Sequence, residues 1–226
     1  MGKKDVIKIE NIKKVFKLKN EEINAIDDLT ISFKSGEFYA IMGHSGSGKS
    51  TLINIIGLLE EVDSGSYFID NVDTKALSSK ERAYLRRDKF GFIFQEFCLD
   101  EYLKAKENVI LPMIINKNID PSKRDNKAIE LLKLVGVEDR MNHFPKEMSG
   151  GEKQRVAIAR CLANDPEIIL ADEPTGNLDE ENEEKIFELL RKLANDGKCV
   201  IVVSHTNEVK KYADKVYHIK KGKLVD

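Results

Sequence analysis

The chain has 226 residues, of which 41% are hydrophobic and 34% charged, enough for one or two domains with a sizeable core. That balance excludes a disordered or fibrous chain. The 37 Lys and Arg nearly cancel the 39 Asp and Glu, and a formal net charge of -2 gives no bulk attraction to nucleic acid or anionic lipid.

Residues 109–115 form the longest non-polar run, and Pro112 interrupts it. A membrane-spanning helix needs ~20 residues, so none is expected. The segment Met1-Gly2-Lys3-Lys4-Asp5-Val6 carries no apolar signal core, and Val6 occupies the place where myristoylation wants Ser or Thr. Cys98, Cys161 and Cys199 are scattered with no C-x-x-C, which argues against a zinc site or disulfide framework and fits a reducing cytosol.

Strands dominate the first third. Residues 6–9 and 29–33 alternate, residues 34–37 make a turn, and residues 38–42 form a continuous apolar strand. A glycine-rich loop leads into a helix with apolar positions Leu52, Ile55, Ile56 and Leu59. Residues 63–66 read as a turn before a strand at 67–69. Residues 78–89 read as a polar helix. Its Lys80, Arg82, Arg86, Arg87 and Lys89 alternate with Glu81 and Asp88, a solvated face rather than a lipid patch. A strand at 90–94 follows.

From Gln95 to about Ala163 the pattern turns helical, with apolar stripes at 128–135 and 154–162. Residues 168–171 and 199–203 are continuous apolar runs, suited to strands buried on both faces of a parallel sheet. An amphipathic helix at 183–194 lies between them, and residues 216–223 end the chain as a hairpin. The predicted fold is α/β, with an antiparallel β section in front and a helical insertion between two core strands.

Gly43-His44-Ser45-Gly46-Ser47-Gly48-Lys49-Ser50 matches G-x-x-x-x-G-K-[ST] between an apolar strand and a helix. Such a loop turns backbone N–H groups inward around phosphate, and the helix start adds positive potential. Lys49 supplies a charge for the β- and γ-phosphates, and Ser50 a hydroxyl for Mg2+. His44 reads as a tolerated spacer in this loop. The expected nucleotide contacts run from Gly43 through Thr51.

Asp172 and Glu173 end the apolar run at 168–171, at the sheet edge where open α/β folds bind ligands. Asp172 is expected to hold Mg2+, and Glu173 to polarise the attacking water. His205 closes the next apolar run and is expected to donate to a phosphate oxygen. Ser149-Gly150-Gly151-Glu152 precedes another helix. A capping box explains Ser149 and Glu152 but not two glycines, each of which costs up to ~1 kcal/mol in a first turn. The glycines suggest a second anion site.

Taken together, these residues closely resemble the ATP-binding-cassette (ABC) ATPase family from about Ile7 to Lys223. Gln95 matches its Q-loop, Ser149-Gly150-Gly151-Glu152 with Gln154-Arg155 its signature, Asn177-Leu178-Asp179 its D-loop and His205 its switch histidine. The resemblance implies a P-loop NTPase fold with an antiparallel β subdomain and an inserted helical signature subdomain. It implies one domain over 1–226, with 1–94 and 164–226 as nucleotide-binding core and β subdomain and 95–163 as helical subdomain. It also implies ATP and Mg2+ as cofactors and Lys49, Gln95, Glu173 and His205 as catalytic residues. Ser50, Gln95 and Asp172 would hold the metal, and Phe16 would stack on adenine. Ser149, Gly150, Gly151, Glu152 and Asp179 would serve ATP across a head-to-tail homodimer.

The loop with His44, the segment 171–179 and Leu85-Arg86-Arg87 before Phe90 are similar to one branch. It contains macrolide exporters, lipoprotein-release systems and antimicrobial-peptide-resistance transporters, and the cell-division ATPase is similar. The implied partners are a second copy of the chain and an integral-membrane permease, with no nucleic acid. The implied location is cytoplasmic, peripheral on the inner face of the membrane. A regulatory ATPase that moves no substrate and an importer cassette stay open as alternatives.

Met148 stands for the usual leucine, Glu152 for glutamine and Thr206 for a common aspartate. Residues 96–102 diverge most, in a region that contacts the permease in the family. Cys98 there reads as a small apolar contact.

Overall fold

The computed structural model describes residues 4–18 and 21–225; the N-terminal reading above rests partly on residues 1–3, outside the described residues. In chain order the elements are β1 (Asp5–Leu18), β2 (Glu21–Lys34), β3 (Phe38–Met42), α1 (Lys49–Ile56), β4 (Ser64–Ile69), β5 (Val72–Asp73), α2 (Ser79–Lys89) and β6 (Phe90–Phe94). They continue with α3 (Ala105–Ile115), α4 (Arg124–Leu134), α5 (Gly150–Cys161), β7 (Ile168–Asp172), α6 (Glu180–Asn195), β8 (Cys199–Val203), β9 (Lys215–Lys220) and β10 (Lys223–Val225).

The strands form two sheets, an antiparallel one in the order β2-β1-β4-β5 and a six-stranded one in the order β10-β9-β3-β8-β7-β6. In the larger sheet β9, β3, β8, β7 and β6 run parallel, and β10 pairs antiparallel with β9.

Burial on both faces explains the continuous apolar runs of the core strands. Phe38, Ala40 and Met42 of β3, Ile169 and Ala171 of β7, and Val200 and Val202 of β8 pack into one core with α3, α4, α5 and α6. The alternate residues Tyr39, Ile41, Ile168, Leu170, Cys199, Ile201 and Val203 pack into a second core with α1 and the antiparallel sheet. Each fully buried Ile, Leu or Phe stabilises the fold by about 1.5–3 kcal/mol relative to exposure.

Strand register sets what leaves the sheet together. Phe94 pairs with Asp172, Asp172 with Val203, Val203 with Ile41, and Ile41 with Tyr217. The residues that follow this row are Gln95, Glu173, Ser204, Met42 and His218. The chain after β6, β7, β8 and β3 therefore emerges at one edge.

Two sequence expectations change. The helix after the phosphate loop ends at Ile56, where Gly57 caps it, so Leu59 lies beyond it and is 52% exposed rather than on its buried face. Ser64, Gly65 and Ser66 belong to β4 and not to a turn. Ser64 pairs with Lys13 and Ser66 with Glu10 across an irregularity in β1, and such a bulge lets the strand begin early.

The helix expected at 78–89 is α2, but its Arg82, Arg87 and Lys89 side chains are only 17%, 18% and 27% exposed, so the basic face is largely covered rather than solvated. Ser78 and Glu81 cap it reciprocally and none of its residues is buried. Arg82, Arg87 and Lys89 pair with Glu61, Asp88 and both Asp70 and Glu167. Among the described residues no helix is long and apolar enough to cross a membrane.

Candidate active site

A cleft of about 900 Å³ opens at that sheet edge. The phosphate loop forms its floor. Gly48 has φ +108, and a Cβ there would meet the Ala25 carbonyl oxygen at 2.4 Å, so both conformation and space demand glycine. α1 then starts with no side-chain cap and no acid in its first turn, which leaves its first amides for a ligand. The buried Lys49 Nζ donates to the carbonyls of Gly43 (2.7 Å) and His44 (3.1 Å), holding the ammonium across the loop mouth. These features fit a polyphosphate.

Asp172 and Glu173 face this loop across the cleft. Burial and the neighbouring Glu173 push the Asp172 carboxyl above its ordinary value, and Lys49 partly offsets them. Two crowded acids beside one ammonium gain from a divalent cation. Ser50, Gln95 and Asp172 all line the cleft and offer hard oxygen donors of the kind Mg2+ takes.

Glu173 has φ +48, a strained backbone for a residue with a side chain, and its N–H donates to the Val203 carbonyl at 2.9 Å. His205 Nδ1 lies 2.8 Å from Glu173 Oε2, and the His205 amide donates to the same oxygen at 3.3 Å. The expected base and the expected switch histidine are thus already in contact. Gln95 is tied in from behind, because Asn177 Nδ2 donates to its carbonyl at 3.0 Å.

Phe16 also lines the cleft, 37% exposed, with the Lys14 ammonium 5.2 Å from its ring centroid. Ile23, which pairs with Phe16 across the β1–β2 ladder, lines the cleft too, as do Asn24, Ala25, Met42 and His218. Sequence reasoning missed these five. Bulges in the long hairpin hide its register, and only the β9–β3 pairing brings His218 beside Met42.

Ser149, Gly150, Gly151, Glu152 and Asp179 do not line this cleft. Ser149 caps α5 as the spacing predicts: its Oγ accepts from the Glu152 amide at 3.3 Å, and Glu152 Oε2 accepts from the Ser149 amide at 2.7 Å. Glu152 Oε1 accepts from Arg140 Nε at 2.7 Å. The Arg140 bond, followed by the Ser149 amide, holds the Glu152 carboxyl down at about 2.

The helix start is therefore less bare than the sequence suggests, because the capping box takes two amides. Those of Gly150 and Gly151 still lack acceptors within the helix. Gly151 has an internal reason to be glycine: a Cβ there would meet Asn182 Oδ1 at 2.4 Å. Asn182 is held by Asp179, the N-cap of α6.

The sequence model of the ABC transporter family matches residues 26–176. This chain belongs to the ABC transporter family. It is an ABC ATP-binding domain with the P-loop ATPase fold of that family. It is 47% identical over 223 residues to the uncharacterized ABC transporter ATP-binding protein MJ0796 of Methanocaldococcus jannaschii, covering 97% of this chain and 95% of that one. It is 42% identical over 221 residues to the macrolide export ATP-binding/permease protein MacB of Chlorobaculum tepidum, covering 98% of this chain but 34% of MacB.

A solved dimeric structure of the MJ0796 cassette, in a post-hydrolysis state bound to ADP and Pi, superimposes with a TM-score of 0.89 at 45% identity, covering 97% of both chains. A second dimeric MJ0796 structure matches with the same TM-score at 46% identity.

Proposed function

We propose that this ABC domain is the ATP-hydrolysing subunit of a transporter, dimerising on ATP and driving a separate membrane permease of exporter or mechanotransmission type. One observation carries the reading: the two glycine-rich helix starts do not meet within one chain. The cleft gathers the phosphate loop, Gln95, Asp172, Glu173 and His205, while Ser149, Gly150 and Gly151 lie outside it. A second copy, turned head to tail, would bring its Ser149, Gly150 and Gly151 to the γ-phosphate held by the first, with Asp179 and Glu152 at the seam. Symmetry then makes two equivalent sites. The dimeric MJ0796 structures, one with ADP and Pi, support this arrangement.

In each site the amides from Gly43 to Thr51 and the Lys49 ammonium would hold ATP phosphates, and Phe16 would stack on adenine. Ser50, Gln95 and Asp172 would hold Mg2+, which when bound neutralises charge on the phosphate oxygens. Glu173 takes the proton of the attacking water, and His205 orients Glu173 and donates to phosphate.

We assign residues 1–94 and 164–226 to the nucleotide-binding core and β subdomain, and 95–163 to a helical subdomain that passes motion to the permease. An apolar cleft of about 490 Å³, walled by Leu59, Phe92, Phe94, Cys98, Pro112 and Ile115, supports a docking place for a membrane subunit. The likeness to MacB, whose name joins ATP binding and permease, supports the exporter branch. The working location is then the cytoplasmic face of the membrane.

Glu173→Gln is expected to bind ATP and lose turnover by about 10²–10⁴, the usual worth of a general base. Retained turnover removes Glu173 from that role. Tagged Glu173→Gln protein with ATP, used as bait on membranes, is expected to recover a permease with few transmembrane helices and a large extracytoplasmic domain. Recovery of soluble ribosomal or nucleic-acid proteins instead overturns the transport reading.

A further inference from the structure

A carboxylate outside the nucleotide cleft ties together the two loops that carry Glu173 and His205. Glu183 sits in the first turn of α6. Its Oε1 accepts from Thr175 Oγ1 at 3.0 Å and from Thr206 Oγ1 at 2.8 Å. Thr175 is two residues beyond Glu173, and Thr206 directly follows His205. The Thr206 amide donates to Ser204 Oγ at 3.2 Å, and both Ser204 and Thr175 are buried.

Hydroxyls bound to a carboxylate make the stronger, charge-assisted kind of hydrogen bond, and here one oxygen anchors both loops. Two further links between the loops, from the Glu173 amide to Val203 and from Glu173 Oε2 to His205, run through Glu173 itself. The first anchors the Glu173 backbone to the end of β8, but neither fixes the residues that follow Glu173 and His205, which Glu183 joins. The backbone of Glu173 is strained, and such conformations persist only where the surroundings over-determine them.

We propose that Glu183 is a positioning residue for ATP hydrolysis. Through Thr175 and Thr206 it holds Glu173 and His205 at their 2.8 Å contact. The inference rests on the ATPase reading and adds to it a residue that does not line the cleft. A carboxylate at 206 would meet Glu183 Oε1 charge against charge, whereas a hydroxyl donates to it. The same turn of α6 carries Asn182, whose side chain lies against Gly151 of the signature helix.

The test measures turnover at saturating ATP, and affinity for a fluorescent ATP analogue, in the full chain. Thr206→Val keeps the shape but loses the donor, Thr206→Ser keeps the donor, and Thr206→Asp opposes Glu183. Thr206→Val and Thr206→Asp are expected to lower turnover about 10-fold or more, the scale of a small misplacement, with affinity unchanged. Thr206→Ser is expected to stay near wild type. Adding Glu183→Gln to Thr206→Asp is expected to restore turnover, because the glutamine amide donates to the new carboxylate.

Wild-type turnover in Thr206→Val, or no rescue of Thr206→Asp by Glu183→Gln, overturns the inference while leaving ATP hydrolysis intact. A wild-type chain without turnover overturns the ATPase reading and the inference with it.

Discussion

α1 and α5 both begin at glycine-rich turns, yet they treat charge in opposite ways. α1 opens on Gly48 with no capping side chain and no first-turn acid, and Lys49 adds a cation. α5 opens on a completed capping box, with Glu152 in its first turn and Arg140 bonded to that carboxylate. The first is an anion cradle that supplies its own positive charge. The second carries an anion of its own and must neutralise it before another can approach. A helix start is thus not one kind of site. What fills its orphan amides decides whether it waits for a ligand or is already engaged.

The contrast can be broken most severely at α1. Lys49→Ala removes the only side-chain cation of the phosphate loop and is expected to abolish tight ATP binding; near-normal affinity by fluorescent-nucleotide titration would sink the phosphate-loop assignment. At α5 the expected loss is of a different kind. Ser149→Arg should leave ATP binding to the monomer intact and block ATP-dependent dimerisation, read by size-exclusion with light scattering in the Glu173→Gln background. Persistent dimers would refute the cross-dimer role of Ser149.

The subtlest change sharpens the comparison. Arg140→Ala exposes the Glu152 charge, so ATP-dependent dimers should weaken about 10-fold, the order of one lost charge-assisted bond, and Glu152→Gln should restore them. Failure of that rescue would mean that Arg140 acts only on folding.

A pH effect follows from the same pair. The folded Glu152 carboxyl lies at about 2, below its ordinary value of 4.5. Its contribution to stability is therefore full above the ordinary value and is lost as pH falls through about 2. In Arg140→Ala the folded carboxyl should titrate at higher pH, so the contribution should be smaller and its loss complete at higher pH. Carbon-detected NMR titration of Glu152 reads this directly, and an unmoved midpoint would contradict the assigned cause.

Legibility differed between these regions. The phosphate loop is contiguous: strand, glycines, lysine and helix follow one another, and the local backbone needs of that turn are written in its residues. Ser149 and Glu152 were equally readable as a capping box, because their reciprocal bonds span three residues. Arg140 as the partner of Glu152 was not, since the two stand twelve positions apart with a separate turn between them. From the sequence, the glycine at 151 makes room for a ligand, and the structure adds Asn182 as a neighbour that requires it. Glu183 gave no local sign, lying in a run with Glu180, Glu181 and Glu184 whose other members look the same.

What the sequence determined alone is the chemistry that depends on neighbours in the chain. That covers the buried strands at 38–42 and 199–203, the strand at 90–94, the phosphate loop, the α5 cap, and the acids at the end of β7. Side-chain period and backbone preference act over a few residues and leave a mark there. The tertiary structure alone decided the row from Phe94 through Asp172, Val203 and Ile41 to Tyr217, and with it the meeting of Gln95, Glu173 and His218 at one edge. It also decided that Glu183 holds both hydrolytic loops. Strand order and register are settled by packing between segments tens to more than a hundred residues apart, and no local pattern records which strand will lie beside which.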